Sequence, residues 1–201
     1  MKKVLPLFSW LLHPVLIPLL ATAFYFLIYD SYMTKGQQYL VYLQVAIITF
    51  FIPVSFFFLL RSLGKIDTVM AGNVSQRKMP LLIQSVLLFI LITKGITIER
   101  IPELYFFLLS ALASTLCALL FSLLKVKISL HMMGIGALTL FVIFLSISAQ
   151  YNAVYYIAGL VLLNGMVASS RLAMKAHSGT ELVLGFICGV LPQIAIGYAY
   201  L

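Results

Sequence analysis

An all-α bundle of six or seven membrane-spanning helices is the fold this sequence predicts. Three observations carry that reading. Hydrophobic residues make up 63% of the 201 and charged residues only 9%, where a soluble domain carries about 25% charged. Mean hydropathy is +1.13. The apolar residues also fall into runs near the roughly 20 residues that cross a bilayer's hydrocarbon. Backbone in lipid must satisfy its own hydrogen bonds, so such runs are helices rather than open sheets.

Seven runs qualify, at about residues 8–29, 39–61, 80–98, 102–124, 130–149, 152–169 and 182–200. Lys2 and Lys3 ahead of the first run mimic a signal peptide. No small-residue cleavage site follows, and the run continues to Tyr29, so it reads as an uncleaved first helix. Pro14, Pro18 and Pro53 fall inside runs; membrane helices tolerate them where neighbours or water satisfy the freed carbonyls. The third run is the least regular, because Lys94 and Glu99 intrude near its end. Cys117 and Cys188 lie within apolar runs and read as packing residues, without metal or disulfide spacing. With no linker, repeat or low-complexity tract, residues 1–201 form a single transmembrane domain.

The net charge is +8. The basic residues lie in short loops without interleaved stacking aromatics. That argues against nucleic acid and for lipid headgroups, membrane orientation or an anionic ligand. The N-terminus and the second, fourth and sixth loops hold Lys2, Lys3, Arg61, Lys65, Arg77, Lys78, Lys125, Lys127, Arg171 and Lys175; the opposite side holds Lys35, Lys94 and Arg100. The positive-inside rule places the richer side in the cytoplasm.

The most polar stretch of the C-terminal half is Ser170-Arg171-Leu-Ala-Met-Lys-Ala-His177-Ser-Gly-Thr-Glu181. His177 and Glu181 are four apart, so on a helix they share a face and the carboxylate can hold the imidazole. Arg171 supplies a ligand for an oxyanion or phosphate. Each residue alone has a plainer reading. Arg171 and Lys175 can be snorkelling anchors, Glu181 can complement a helix dipole, and His131 can sit at headgroup level. His13, beside Pro14, reads as an interface or packing residue. Asp67 and Asn73 are open between substrate contact and solvated loop, and the Tyr and Phe residues fit interfacial belts.

Ser-Arg, five residues, His, three residues, acid resembles the last signature of the type 2 phosphatidic acid phosphatases, whose superfamily includes the vanadium haloperoxidases. The acid there is usually Asp; here it is Glu181. The middle signature, Ser-Gly-His, is echoed by Ser129-Leu130-His131. The first, Lys, six residues, Arg-Pro, is echoed only loosely by Arg77-Lys78-Met79-Pro80. The resemblance covers about residues 61–190 and implies a helical membrane bundle. It implies that His177 is a nucleophile forming a phosphohistidine, that Glu181 orients it, and that His131 protonates the leaving group. Arg171, Ser129, Arg77 and Lys78 would bind the phosphate.

No Gly-Lys-Ser/Thr loop, His-Glu-x-x-His helix or pair of Asp-rich motifs is present. Five acidic residues suit a metal-dependent phosphatase poorly, and the histidine route needs neither metal nor cofactor. The implied substrate is a phospholipid or isoprenoid phosphate or diphosphate, such as phosphatidic acid, phosphatidylglycerol phosphate, undecaprenyl diphosphate or a lipid A phosphate. A non-enzymatic lipid-phosphate binder or transporter of the same fold is the second reading, kept open by the loose first signature and Glu181. The resemblance also implies a bacterial cytoplasmic membrane with an outward-facing site, opposite to the charge bias, so sidedness stays open.

Overall fold

The computed structural model describes residues 8, 9, 11–29, 32–65 and 74–200, the last three by backbone alone. Asp67 and Asn73 fall outside them. All regular structure among the described residues is helical, in an antiparallel bundle. Its elements are α1 (Ile17–Ile28), entered through a 3-10 turn at Pro14–Leu16, α2 (Lys35–Ser62), α3 (Val74–Gly95), α4 (Pro102–Leu123), α5 (Leu130–Ser148), α6 (Val154–Ala173) and α7 (Gly179–Tyr200). Six of them, α2 to α7, are long and apolar enough to cross a membrane.

The first run is shorter than its apolar length predicts. A residue before proline avoids the helical region, and His13 is accordingly extended (φ −63°, ψ 136°). The chain breaks there, separating a turn in which Leu12 N–H donates to Phe8 O (3.0 Å) from α1. Pro53 is handled differently. It lacks an N–H and crowds the carbonyl four residues back, and α2 widens into a π turn at Ile47–Phe51 just ahead of it. The third and fourth runs are two separate crossings, which puts Arg77 at the same end of the bundle as His131 and His177.

Helix α5 runs through the middle. Of its most apolar stretch 61% is buried, against 17% for α2, which therefore faces lipid. Ile135, Leu138 and Val142 of α5 pack with Leu104 and Leu108 of α4, Ala21 of α1 and Val167 of α6. Lipid tails give helices no hydrophobic reason to associate, so close backbone approach through small residues takes over. Gly185 and Gly189 serve this on α7. A methyl group at Gly185 would run into the Ser129 backbone, and one at Gly189 into that of Met133. This seam docks the start of α7 against the start of α5.

Candidate active site

The α6–α7 connection is built by local rules. Lys175 adopts the left-handed conformation (φ 51°), and Ala176 N–H reaches back to Arg171 O (3.0 Å) to close α6. Ser178 then caps α7. Its Oγ accepts from Glu181 N–H (3.3 Å) and its carbonyl from Leu182 N–H (3.1 Å), the start signal of a Ser three residues before a Glu. The Glu181 side chain turns to His177 instead of the cap: Nδ1 and Oε2 are 2.6 Å apart. His177 therefore precedes α7 rather than sharing a helical face with Glu181, and the extra methylene of Glu over Asp is taken up in that reach.

The α4–α5 connection lies against the same carboxylate. Lys127 Nζ donates to Ala176 O (2.7 Å) and stands 3.9 Å from Glu181 Oε2. Ser129 N–H donates to Glu181 O (3.0 Å). The Ser129 hydroxyl caps α5, accepting from Met132 N–H (3.4 Å), in a fully buried position. It does not line the cavity described below; the structure places this expected phosphate ligand as the cap of α5. His131 follows in the first turn of α5.

Arg77 comes from the first turn of α3 and donates through Nη1 to Ile128 O (2.8 Å). Arg171 sits in the last turn of α6, which runs four residues beyond where the sixth run was expected to end, with Nη1 3.9 Å from Met174 Sδ. Both guanidiniums are buried. Lys78 is half-buried and does not line the cavity. Neighbours on a helix point about 100° apart, and of the two it is Arg77 that lines the cavity.

The N-terminal segment supplies residues the sequence reading left out. His131 Nε2 lies 3.0 Å from Ser9 O, and Ser9 Oγ lies 2.7 Å from Ser170 Oγ. The His13 ring meets His131 edge-on, with centroids 5.4 Å apart. A third histidine at the same end of the bundle, held by Pro14, was the available signal. Lys127, two residues before Ser129, was another.

His13, Arg77, His131, Arg171 and His177 line one cavity of about 460 Å³. Its other walls are largely apolar, with Phe50, Pro53 and Phe57 of α2, Leu81 and Leu88 of α3, Phe107 and Ala111 of α4, and Ala137 of α5, interrupted by Gln84, Ser114 and Thr115. From Arg77 to Leu88 along α3 is about 16 Å at 1.5 Å per residue, near half of a hydrocarbon core about 30 Å thick. The cavity thus has a basic end, beside the α4–α5 and α6–α7 connections, and a largely apolar remainder.

The His177 side chain is only 2% exposed. Burial pushes its imidazole down to about 4. Arg77, Arg171 and Lys127 act in the same direction, and the Glu181 hydrogen bond opposes them. At neutral pH the ring is uncharged. Its Nδ1–H donates to the carboxylate, leaving the lone pair on Nε2. Such a group can act as a nucleophile or base beside two guanidiniums suited to an anion. Among the described residues no three His, Cys, Asp or Glu side chains gather as a metal ion would require. No protein-family model, no curated protein and no solved structure matches the chain.

Proposed function

We propose that this protein is an integral membrane phosphatase that releases inorganic phosphate from a lipid phosphate or diphosphate through a phosphohistidine on His177. The reading rests above all on one observation: His177, bonded to Glu181 at 2.6 Å, lines a cavity that Arg77, Arg171 and His131 also line. Nε2 of His177 attacks phosphorus, and the electron pair of the breaking P–O bond goes to the leaving oxygen. Glu181 balances the positive charge the ring acquires, as the carboxylate of a catalytic triad does. Arg77 and Arg171 neutralise the phosphoryl oxygens. For the step to balance, His131 enters it with both ring nitrogens protonated; it protonates the leaving oxygen, and as a base it then activates the water that cleaves the P–N bond. The apolar interior favours a phosphate carried on a hydrocarbon tail over a soluble ester.

The test is phosphate release from a panel of lipid phosphates by the purified protein in detergent with a metal chelator present. Release from at least one member is expected. Binding to the panel without release by the intact protein overturns the phosphatase reading in favour of a lipid-phosphate binder or transporter.

A further inference from the structure

Of the groups expected at the site, His131 has its outward-facing chemistry decided by a segment outside every signature. A carbonyl oxygen can only accept, so the 3.0 Å contact with Ser9 O is a donation from His131 Nε2–H. That nitrogen is committed. Any proton His131 hands to a substrate must leave from Nδ1, and the neutral ring that remains is the Nε2–H tautomer the carbonyl prefers. Ser9 is itself fixed, fully buried and tied through its hydroxyl to Ser170 at 2.7 Å. Ser170 directly precedes Arg171. The segment therefore joins the helix carrying His131 to the helix carrying Arg171.

His13 completes the arrangement. Its Nδ1 accepts from Val15 N–H (3.4 Å), which fixes the ring at the break before α1, and its ring stands edge-on against His131. The attitude of the His131 ring is thus set from two points of one short N-terminal stretch.

We propose that Ser9 is a positioning residue for proton transfer: its carbonyl, anchored through the Ser9–Ser170 hydroxyl contact, holds His131 so that Nδ1 delivers the proton to the leaving oxygen. This rests on the phosphatase reading for its consequence, though not for its geometry. The step balances simply. The P–O bond breaks toward the leaving oxygen, the Nδ1 proton passes to that oxygen, and His131 keeps its Nε2–H on Ser9.

Two measurements test it. The first compares an alkyl phosphate, whose leaving group needs a proton, with p-nitrophenyl phosphate, whose leaving group needs little help. His131→Ala should lower the ratio of their kcat/KM values roughly 100-fold, within the range of general-acid contributions. Ser9→Ala and Ser170→Ala should each lower it roughly tenfold as the proton donor loses its aim. Ser9→Ala should add nothing to His131→Ala, because it acts through that ring. Equal losses on both substrates, or additive losses in the double variant, overturn the proposal and leave Ser9 a packing residue.

The second measurement stands apart from turnover. In protein labelled with ¹⁵N-histidine, His131 should show the Nε2–H tautomer, and Ser9→Ala should mix the two tautomers. A His131 in the Nδ1–H tautomer overturns the proposal even if the phosphatase reading holds. Phosphate release that is absent altogether, with the tautomer as expected, overturns the phosphatase reading and with it the catalytic use of the geometry.

Discussion

The two ends of the bundle are held together in different ways. At the end with the basic residues of the cavity, polar side chains reach across the chain. Ser9 meets Ser170, His131 meets Ser9, Arg77 meets Ile128, Lys127 meets Ala176, and Ser122 donates to Val74 O at 2.9 Å. These partners are 48 to 161 residues apart in sequence. At the other end the loop and cap bonds close on themselves, and the cross-helix bonds lie deeper, with Ser110 Oγ donating to Pro192 O (3.3 Å) and Gln193 Nε2 to Phe107 O (3.4 Å). Thr34 pairs with Gln37, Lys35 with Gln38, Ser146 with Tyr151 and Gln150 with Ile147, none more than five residues apart. Glu103, buried there at the start of α4, has an oxygen without a partner among the described residues. The connections at one end are cross-linked to distant segments, and those at the other are independent turns. Substitutions at the first should disturb several segments together, and those at the second should stay local.

The largest expected effect lies at the cross-linked end. Arg171→Lys keeps the charge but loses the planar fork that can grip two phosphoryl oxygens. Steady-state turnover should fall roughly 100-fold, the scale of losing one strong transition-state donor. A loss of twofold or less would show that Arg171 serves only as a membrane anchor.

Acidity sharpens the same comparison. The folded protein holds His177 down to about 4, below the ordinary value of about 6.5. An unfolded chain therefore binds the proton first as pH falls. Stability contributed by this group is complete above about 6.5 and is lost on descending toward 4. Melting in detergent should show this acid loss in the intact protein and less of it in His177→Gln. The acid limb of kcat/KM should likewise fall near 4. An acid limb near 6.5 would mean that His177 is not held neutral by its surroundings.

The smallest effect belongs to the independent end. Thr34 and Gln37 form a capping box, with Thr34 N–H donating to Gln37 Oε1 (2.9 Å) and Gln37 N–H to Thr34 Oγ1 (3.3 Å). Thr34→Ala should cost about 1 kcal/mol and leave turnover unchanged. A loss of turnover there would break the distinction between the two ends.

The same distinction explains what the sequence made legible. Helical class, span count and the common end of the basic loops follow from run length and connection order, which composition displays directly. The His177–Glu181 contact is short-range and was visible as a spacing. Ser9 was not, since its partners lie across the fold and nothing local marks it, and His13 offered only its place beside Pro14, not its contact with His131. Ser129 was expected only as a phosphate ligand, and its place at the start of α5 also makes its hydroxyl a cap. Arg171 was expected in a loop because no glycine signals the end of α6; Lys175 takes the left-handed position instead.

The central claim is that His177 carries the phosphoryl group. Incubating the intact protein with a ³²P-labelled lipid phosphate, quenching in alkali and mapping the label tests it most directly. The account predicts acid-labile phosphate on His177 and none in His177→Ala. Phosphate release without label on His177, or label on another residue that survives in His177→Ala, would contradict it.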